Sequence, residues 1–247
     1  MTSSRSSPMT DSDVRSTPAG SGRLVTPTRM RSAIARTMTT SKREIPHFYV
    51  SADIAMDPVL ATARELNASR GDGPKITVTA LLLHRLAAAL NAHPAFNAVA
   101  TEEGFVQVDA INLGIAIALD DGLIAPAILD CGSLDPPALA RRVEQLVGRA
   151  RAGRLRPDEL SGPTFTLSNL GTFPVASFAA IVPPPQVAIL ATGRAEMRAV
   201  VVDGSVAART MLTATLSADH RAVDGAAAGA FLATFKESVE TPVVPAD

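Results

Sequence analysis

The chain has 247 residues, a formal charge of −1 from 23 Lys and Arg against 24 Asp and Glu, a single cysteine and no tryptophan. The near-neutral balance argues against nucleic acid as a partner, because neutralising phosphates needs a basic face. The lone Cys131 cannot close an internal disulfide, no apolar run approaches the roughly 18 residues of a membrane span, and the polar start is unlike a secretory signal; a soluble, cytoplasmic protein is expected.

Residues 1 to 22 are rich in Ser, Thr, Pro and Gly with almost nothing to bury, and read as a disordered tail. Residues 23 to 247 then form the folded part. A first helix is expected over 27 to 42, with Met30, Ile34 and Met38 at four-residue spacing on one face. Phe48 to Ile54 alternates as a strand should, and Asp57-Pro58 opens a helix by pairing an acid with a first-turn proline. Thr79 to Ala92 is apolar on most faces and reads as a buried helix. Residues 105 to 119 and 123 to 128 read as strands around Asp120-Asp121-Gly122. Asp135-Pro136-Pro137 starts a helix with Leu139, Val143, Leu146 and Val147 on one stripe, and Asp203-Gly204 joins two β-rich runs in hairpin fashion. A last helix from about Gly225 carries Phe231, Leu232, Phe235 and Val239. Helices and strands interleave irregularly, which favours an α/β protein of the α+β type, a mixed sheet covered by helices, over a doubly wound fold.

The most informative stretch runs from Leu216 to Gly225. It sets His220 four residues before Asp224-Gly225, where a β-rich segment gives way to an Ala-rich helix. Histidine is the side chain suited to take and return a proton near neutral pH. The acid reads as a helix start near the positive end of the helix dipole. From spacing alone, a satisfied histidine at a strand end is the plainer reading. His47, His84 and His93 have no partner at metal-ligand spacing and are expected in the core or on the surface, with no metal bound. Cys131 has no base nearby in sequence, and no phosphate-binding glycine pattern is present. Ser217 and Asp219 are expected to hold the His220 loop, and the basic run Arg141 to Arg156 to be a solvated helix face.

The wider motif Asp219-His220-Arg221-x-x-Asp224-Gly225 resembles the active-site signature of the dihydrolipoamide acyltransferases of 2-oxo acid dehydrogenase complexes, which share the chloramphenicol acetyltransferase fold. Further blocks resemble the family in the same order: Met30 to Met38 with Ile45 to Phe48, Asp121 to Pro126, Thr164 to Gly171, and Pro184 to Leu190. The resemblance covers about residues 23 to 240. It implies a trimer whose active sites lie between subunits, with His220 from one chain and Ser168 from its neighbour. His220 would take the proton of the acceptor, which attacks the thioester directly, and Ser168 would hydrogen-bond the oxyanion. Asp224 would hold the histidine loop by pairing with an arginine, either Arg31 or Arg221. Asn169 and Gly225 would support the site, and part of the Arg141 to Arg156 run could grip coenzyme A phosphates. Acetyl-CoA would be a co-substrate, with no permanently bound cofactor.

Three departures shape the expected function. Twenty-two residues cannot hold a lipoyl domain, no lipoyl-lysine motif exists, and the end Thr241 to Asp247 carries two prolines and a terminal acid where assembling cores have an apolar stretch. Pro183 also stands where the family commonly has asparagine. These features favour a free-standing trimer that moves an acetyl group to a small-molecule hydroxyl; the resemblance to stand-alone proteins of tetronate biosynthesis implies a tetronate hydroxymethyl group as acceptor, alongside a partner eliminase. The alternative is the catalytic core of a dihydrolipoamide acyltransferase, and a non-catalytic trimeric scaffold is a third reading. Ser177 to Ala180 would shape the acyl pocket.

Overall fold

The computed structural model describes residues 14–17, 20–119 and 122–242. In chain order the elements are β1 (Val14–Thr17), β2 (Gly20–Arg23), α1 (Arg29–Glu44), β3 (His47–Ala55), α2 (Asp57–Ser69), α3 (Val78–Ala92), β4 (Ala98–Thr101), β5 (Gly104–Gln107), β6 (Leu113–Ile115), β7 (Ile117–Leu119), β8 (Gly122–Ile124) and β9 (Ala127–Ile128). After these come α4 (Pro136–Arg151), α5 (Pro157–Ser161), β10 (Phe165–Asn169), β11 (Ala188–Thr192), β12 (Glu196–Val202), β13 (Ser205–Asp219) and α6 (Gly225–Glu240).

One mixed sheet of seven strands organises the chain, in the order β12-β13-β11-β10-β6-β9 with β3 also on β13. β10 runs parallel to both β6 and β11, while β13 is antiparallel to β11, β12 and β3. The fifteen-residue β13 is long because its two halves have different partners: residues 205 to 211 pair with β12, and residues 211 to 219 pair with β3. Asp203 and Gly204 sit at φ 50° and 79°, the two left-handed positions that let a two-residue hairpin follow the strand twist. This expected hairpin is observed.

The end of α1 packs with Val182 and Ile189 on one face of the sheet, while helices α2, α3, α4 and α6 gather on the other. Leu81, Leu82, Leu83, Leu86 and Leu90 of α3 and Phe231, Leu232, Phe235 and Val239 of α6 are all buried there, as the apolar stripes predict. Phe231 centres an aromatic cluster, 4.6 Å from Phe96 and 5.7 Å from Phe165 between ring centroids. Asp135 and Asp224 cap α4 and α6 through hydrogen bonds from Ala138 N and Ala227 N. The stripe on α1 buries less: Met30, Ile34 and Met38 are only half-buried.

Several expectations need correction. Within the segment read as a disordered tail, β1 and β2 pair as an antiparallel ribbon; residues 1–13, 18 and 19 lie outside the described residues. Asp120 and Asp121 also lie outside them, as do residues 243–247 of the C-terminal stretch. The strand expected over 105 to 119 is three pieces. Between the first two, the Asn112 amide donates to Gly162 O and its carbonyl accepts from Asp130 N, side-chain bonds that replace a ladder. Asp57 is the first residue of α2 rather than its cap, which falls on Met56.

The short α5 escaped prediction, and it is held by one buried acid. Glu159 is 1% exposed; it accepts from Arg149 Nη2 at 2.5 Å and from Arg156 N at 2.8 Å. Burial would raise its carboxyl pKa, but the hydrogen bonds from Arg149 and Arg156 outweigh burial and hold it below the ordinary glutamate value. A depressed pKa contributes stability that is present above the unfolded value and lost as pH falls through the folded one. Glu159→Gln is therefore expected to lower stability by about 1–3 kcal/mol at pH 7. Thermal melts of wild type and variant should converge as pH drops below the ordinary glutamate range.

Candidate active site

The alternation of β13 turns Leu216 and Ala218 into the core and Ser217 and Asp219 to the opposite face. Asp219, the last strand residue, is 1% exposed, and a buried carboxylate must be paired. Arg221 supplies the pair two residues later: Nε reaches Oδ1 at 3.0 Å, Nη2 reaches Oδ2 at 2.6 Å, and its backbone N–H donates to Oδ1 at 3.0 Å. The hydrogen bond to Asp219 pushes the Arg221 pKa above the ordinary arginine value. His220 projects between these two anchored residues. Its backbone N–H donates to Pro46 O at 3.1 Å, and its exposed ring lies 4.8 Å from that of Phe48.

Among the described residues of the chain, Asp224 pairs with no arginine. Its Oδ1 accepts from Ala227 N at 2.8 Å, so the amides of α6 compensate the charge that an arginine was expected to meet. Arg221 is committed to Asp219. Arg31, exposed on α1, joins the structure through its backbone N–H, which donates to the Thr28 cap. At Gly225 an added Cβ would meet nothing within 4 Å, so space does not explain the glycine.

Ser168 and Asn169 end β10. The Asn169 amide donates to Thr79 Oγ1 at 3.1 Å and its carbonyl accepts from Gly171 N at 2.7 Å, which fixes the turn leaving the strand. The following loop returns over Gly193, where a Cβ would lie 2.0 Å from Ala176 O. This close approach requires glycine.

The strand register separates Ser168 from His220. Ser168 lies opposite Ala191, and Ala191 opposite Thr215. His220 is five residues beyond Thr215, so the two are two strands and five residues apart, about 19 Å for strands spaced ~4.8 Å with a ~3.3 Å rise. They occupy opposite ends of the sheet. One chain does not bring them together.

The Ser168 end also carries a basic groove that sequence reading missed. Arg64, Arg70, Lys75, Asn67 and Thr77 line an open cavity of about 780 Å³ between the end of α2 and the start of α3. Thr79, which holds Asn169, follows directly in α3. These cations are scattered in sequence, and only the turn between the helices gathers them. The basic run expected to be solvated is so in part: Arg141, Arg142, Arg151 and Arg154 are exposed, while Arg149 and Arg156 hold Glu159.

The remaining candidates are structural. Val182 N donates to His47 Nε2 at 3.0 Å, which leaves Nδ1 to donate to Ile45 O at 2.8 Å and occupies both ring nitrogens. Burial, together with Arg85, holds the His84 ring below the ordinary histidine range against the pull of Asp135. His93 bonds Thr234 Oγ1 at 2.8 Å. Burial pushes the Cys131 thiol up to about 11, and it donates to Ile111 O, the condition of an inert thiol. Of the expected acyl-pocket segment, Ala180 packs on Ile45, Val182 and Ile189, whereas Ser177 and Ala179 are exposed. No group of three or more metal-binding side chains occurs among the described residues, nor does any helix among them have the length and apolarity to cross a membrane.

A single mixed sheet with α2, α3, α4 and α6 on one face, a histidine loop at one end and a serine strand at the other make a chloramphenicol acetyltransferase-like fold. The family model for the catalytic domain of 2-oxoacid dehydrogenases acyltransferase matches residues 20–245, and the chain belongs to that family. It is 38% identical over 237 residues to the dihydrolipoyllysine-residue acetyltransferase component of the pyruvate dehydrogenase complex of Zymomonas mobilis, covering 92% of this chain and 54% of that protein. The chain thus spans about half the length of such curated relatives. Among solved structures, the dihydrolipoamide acetyltransferase of Azotobacter vinelandii superposes with a TM-score of 0.85 at 29% identity, over 96% of this chain and 97% of that one; a serine, a histidine and an asparagine were investigated in its catalytic mechanism. A chloramphenicol acetyltransferase superposes at 0.52 and 15% identity, over 83% and 92%, a likeness of fold alone.

Proposed function

We propose that this chain transfers an acetyl group between coenzyme A and a dihydrolipoyl thiol, at a site completed by two copies of the chain. One observation carries the reading: the investigated serine, histidine and asparagine of the Azotobacter enzyme follow one another at intervals of 52 and four residues, and Ser168, His220 and Asp224 repeat both intervals. Here the third position is an aspartate, which caps α6.

The chemistry follows from the two ends of the sheet. His220 takes the proton from the attacking thiol, and the sulfur adds to the thioester carbonyl. The tetrahedral oxyanion accepts a hydrogen bond from the Ser168 hydroxyl. Collapse breaks the old carbon–sulfur bond, and the histidine returns its proton to the departing thiolate. Because Ser168 and His220 stand about 19 Å apart in one chain by strand geometry, a neighbour must supply the second group, as in a trimer. The groove of Arg64, Arg70 and Lys75 opens at the Ser168 end and suits the phosphates of coenzyme A.

The acceptor expected first from sequence, a tetronate hydroxymethyl group with a partner eliminase, draws no support from the comparisons. The named relatives act on dihydrolipoyllysine residues, which favours the thiol. The test is thiol release from acetyl-CoA with dihydrolipoamide or a hydroxymethyl tetronate as acceptor. Turnover with dihydrolipoamide, lost in His220→Ala, is expected. Turnover confined to the tetronate would overturn the thiol acceptor.

A further inference from the structure

The Asp219–Arg221 pair reaches beyond its own loop. The Arg221 guanidinium lies over the Phe105 ring, 5.9 Å from its centroid, and Phe105 belongs to β5, whose hairpin with β4 stands outside the main sheet. That hairpin is itself fixed. Ala100 N donates to Pro185 O at 2.7 Å, Val99 bridges to Gln186, and the Gln186 side chain accepts from Thr166 Oγ1 at 2.8 Å on β10. On the other side of His220, Ala222 N and Val223 N both donate to Asp219 O. The main chain is therefore anchored before and after His220, with one planar cation joining the buried carboxylate to the hairpin.

We propose that Arg221 is a positioning residue for His220: forked on Asp219 and laid across Phe105, it sets the direction of the imidazole from the β4–β5 hairpin. The inference rests on the proposed role of His220 as base. Guanidinium geometry is essential to it, since a lysine ammonium keeps the charge but cannot fork on the Asp219 carboxylate. Misplacing a catalytic group by about 1 Å can cost on the order of a hundredfold in rate.

The test uses the full chain with Arg221→Lys and Phe105→Leu, each checked by thermal melting. Both are expected to lower kcat for acetyl-CoA and dihydrolipoamide, by about ten- to a hundredfold in Arg221→Lys, with KM for acetyl-CoA nearly unchanged. A second readout does not need turnover. The chain has four histidines, so the imidazole resonances of labelled protein can be assigned with His220→Gln. The His220 signal should shift in both variants while those of His47, His84 and His93 stay. If wild type fails to turn over but this selective shift appears, the clamp stands and the acyl-transfer reading fails. Unchanged kcat and an unmoved His220 signal in a normally active enzyme would overturn the clamp alone. So would loss of activity that tracks a general loss of melting temperature with all four signals shifted.

Discussion

His220→Ala should reduce kcat for acetyl transfer by about 10²- to 10⁴-fold, the range a positioned general base contributes, or about 3 to 5 kcal/mol of barrier. The effect should fall on kcat, with the KM for acetyl-CoA close to that of wild type, because His220 acts on the thiol proton while the groove proposed for the phosphates is lined by Arg64, Arg70 and Lys75. Folding should be spared. The ring is exposed and leans on Phe48, and the loop is held by backbone and Asp219 bonds that alanine retains. Steady-state thiol release beside a thermal melt checks both points. A full-strength His220→Ala enzyme would remove the histidine from the mechanism.

Ser168→Ala carries the second large effect. Deleting one donor to a tetrahedral oxyanion costs about 10²- to 10³-fold in kcat, or ~3–4 kcal/mol. Only the hydroxyl is removed, and the backbone pairing of β10 with β11 and β6 does not depend on it. The Asn169 turn also survives, since its partners are Thr79 and Gly171. Single-turnover kinetics should show slower chemistry with unaltered coenzyme A binding. Weaker binding with normal chemistry would instead make Ser168 a lining residue of the groove.

The sequence disclosed most where a local signal coincides with a local cause. Asp135 and Asp224 as caps, Asp203-Gly204 as a hairpin, and the apolar stripes of α3, α4 and α6 depend on residues a few positions apart. It disclosed less where a distant partner decides the outcome. The strand expected over 105 to 119 breaks because Asn112 serves Gly162 and Asp130, and α5 exists because Glu159 ties Arg149 to Arg156. The candidate site divides in the same way. His220, Ser168 and Asp224 are visible as motifs, and the role of Asp219 in holding the loop was expected. The arginine expected for Asp224 is not met among the described residues of the chain, where the buried Asp219 takes Arg221 and Ala227 N donates to Asp224. Phe48 beneath the histidine, Phe105 beneath Arg221 and Thr79 beneath Asn169 come from other elements. For Phe48 there was a signal: it closes the Ile45 to Phe48 block that resembles the family.

The central claim is that neighbouring chains share each site, and mixed oligomers test it most directly. His220→Ala and Ser168→Ala chains, each nearly inactive alone, would be co-assembled in equal amounts and assayed for acetyl transfer to dihydrolipoamide. In a closed ring with shared sites, a wild-type histidine meets a wild-type serine at about one site in four, so roughly a quarter of wild-type activity should return. Activity no higher than that of either variant alone, in oligomers proven to be mixed, would mean that each chain works by itself and would contradict the account.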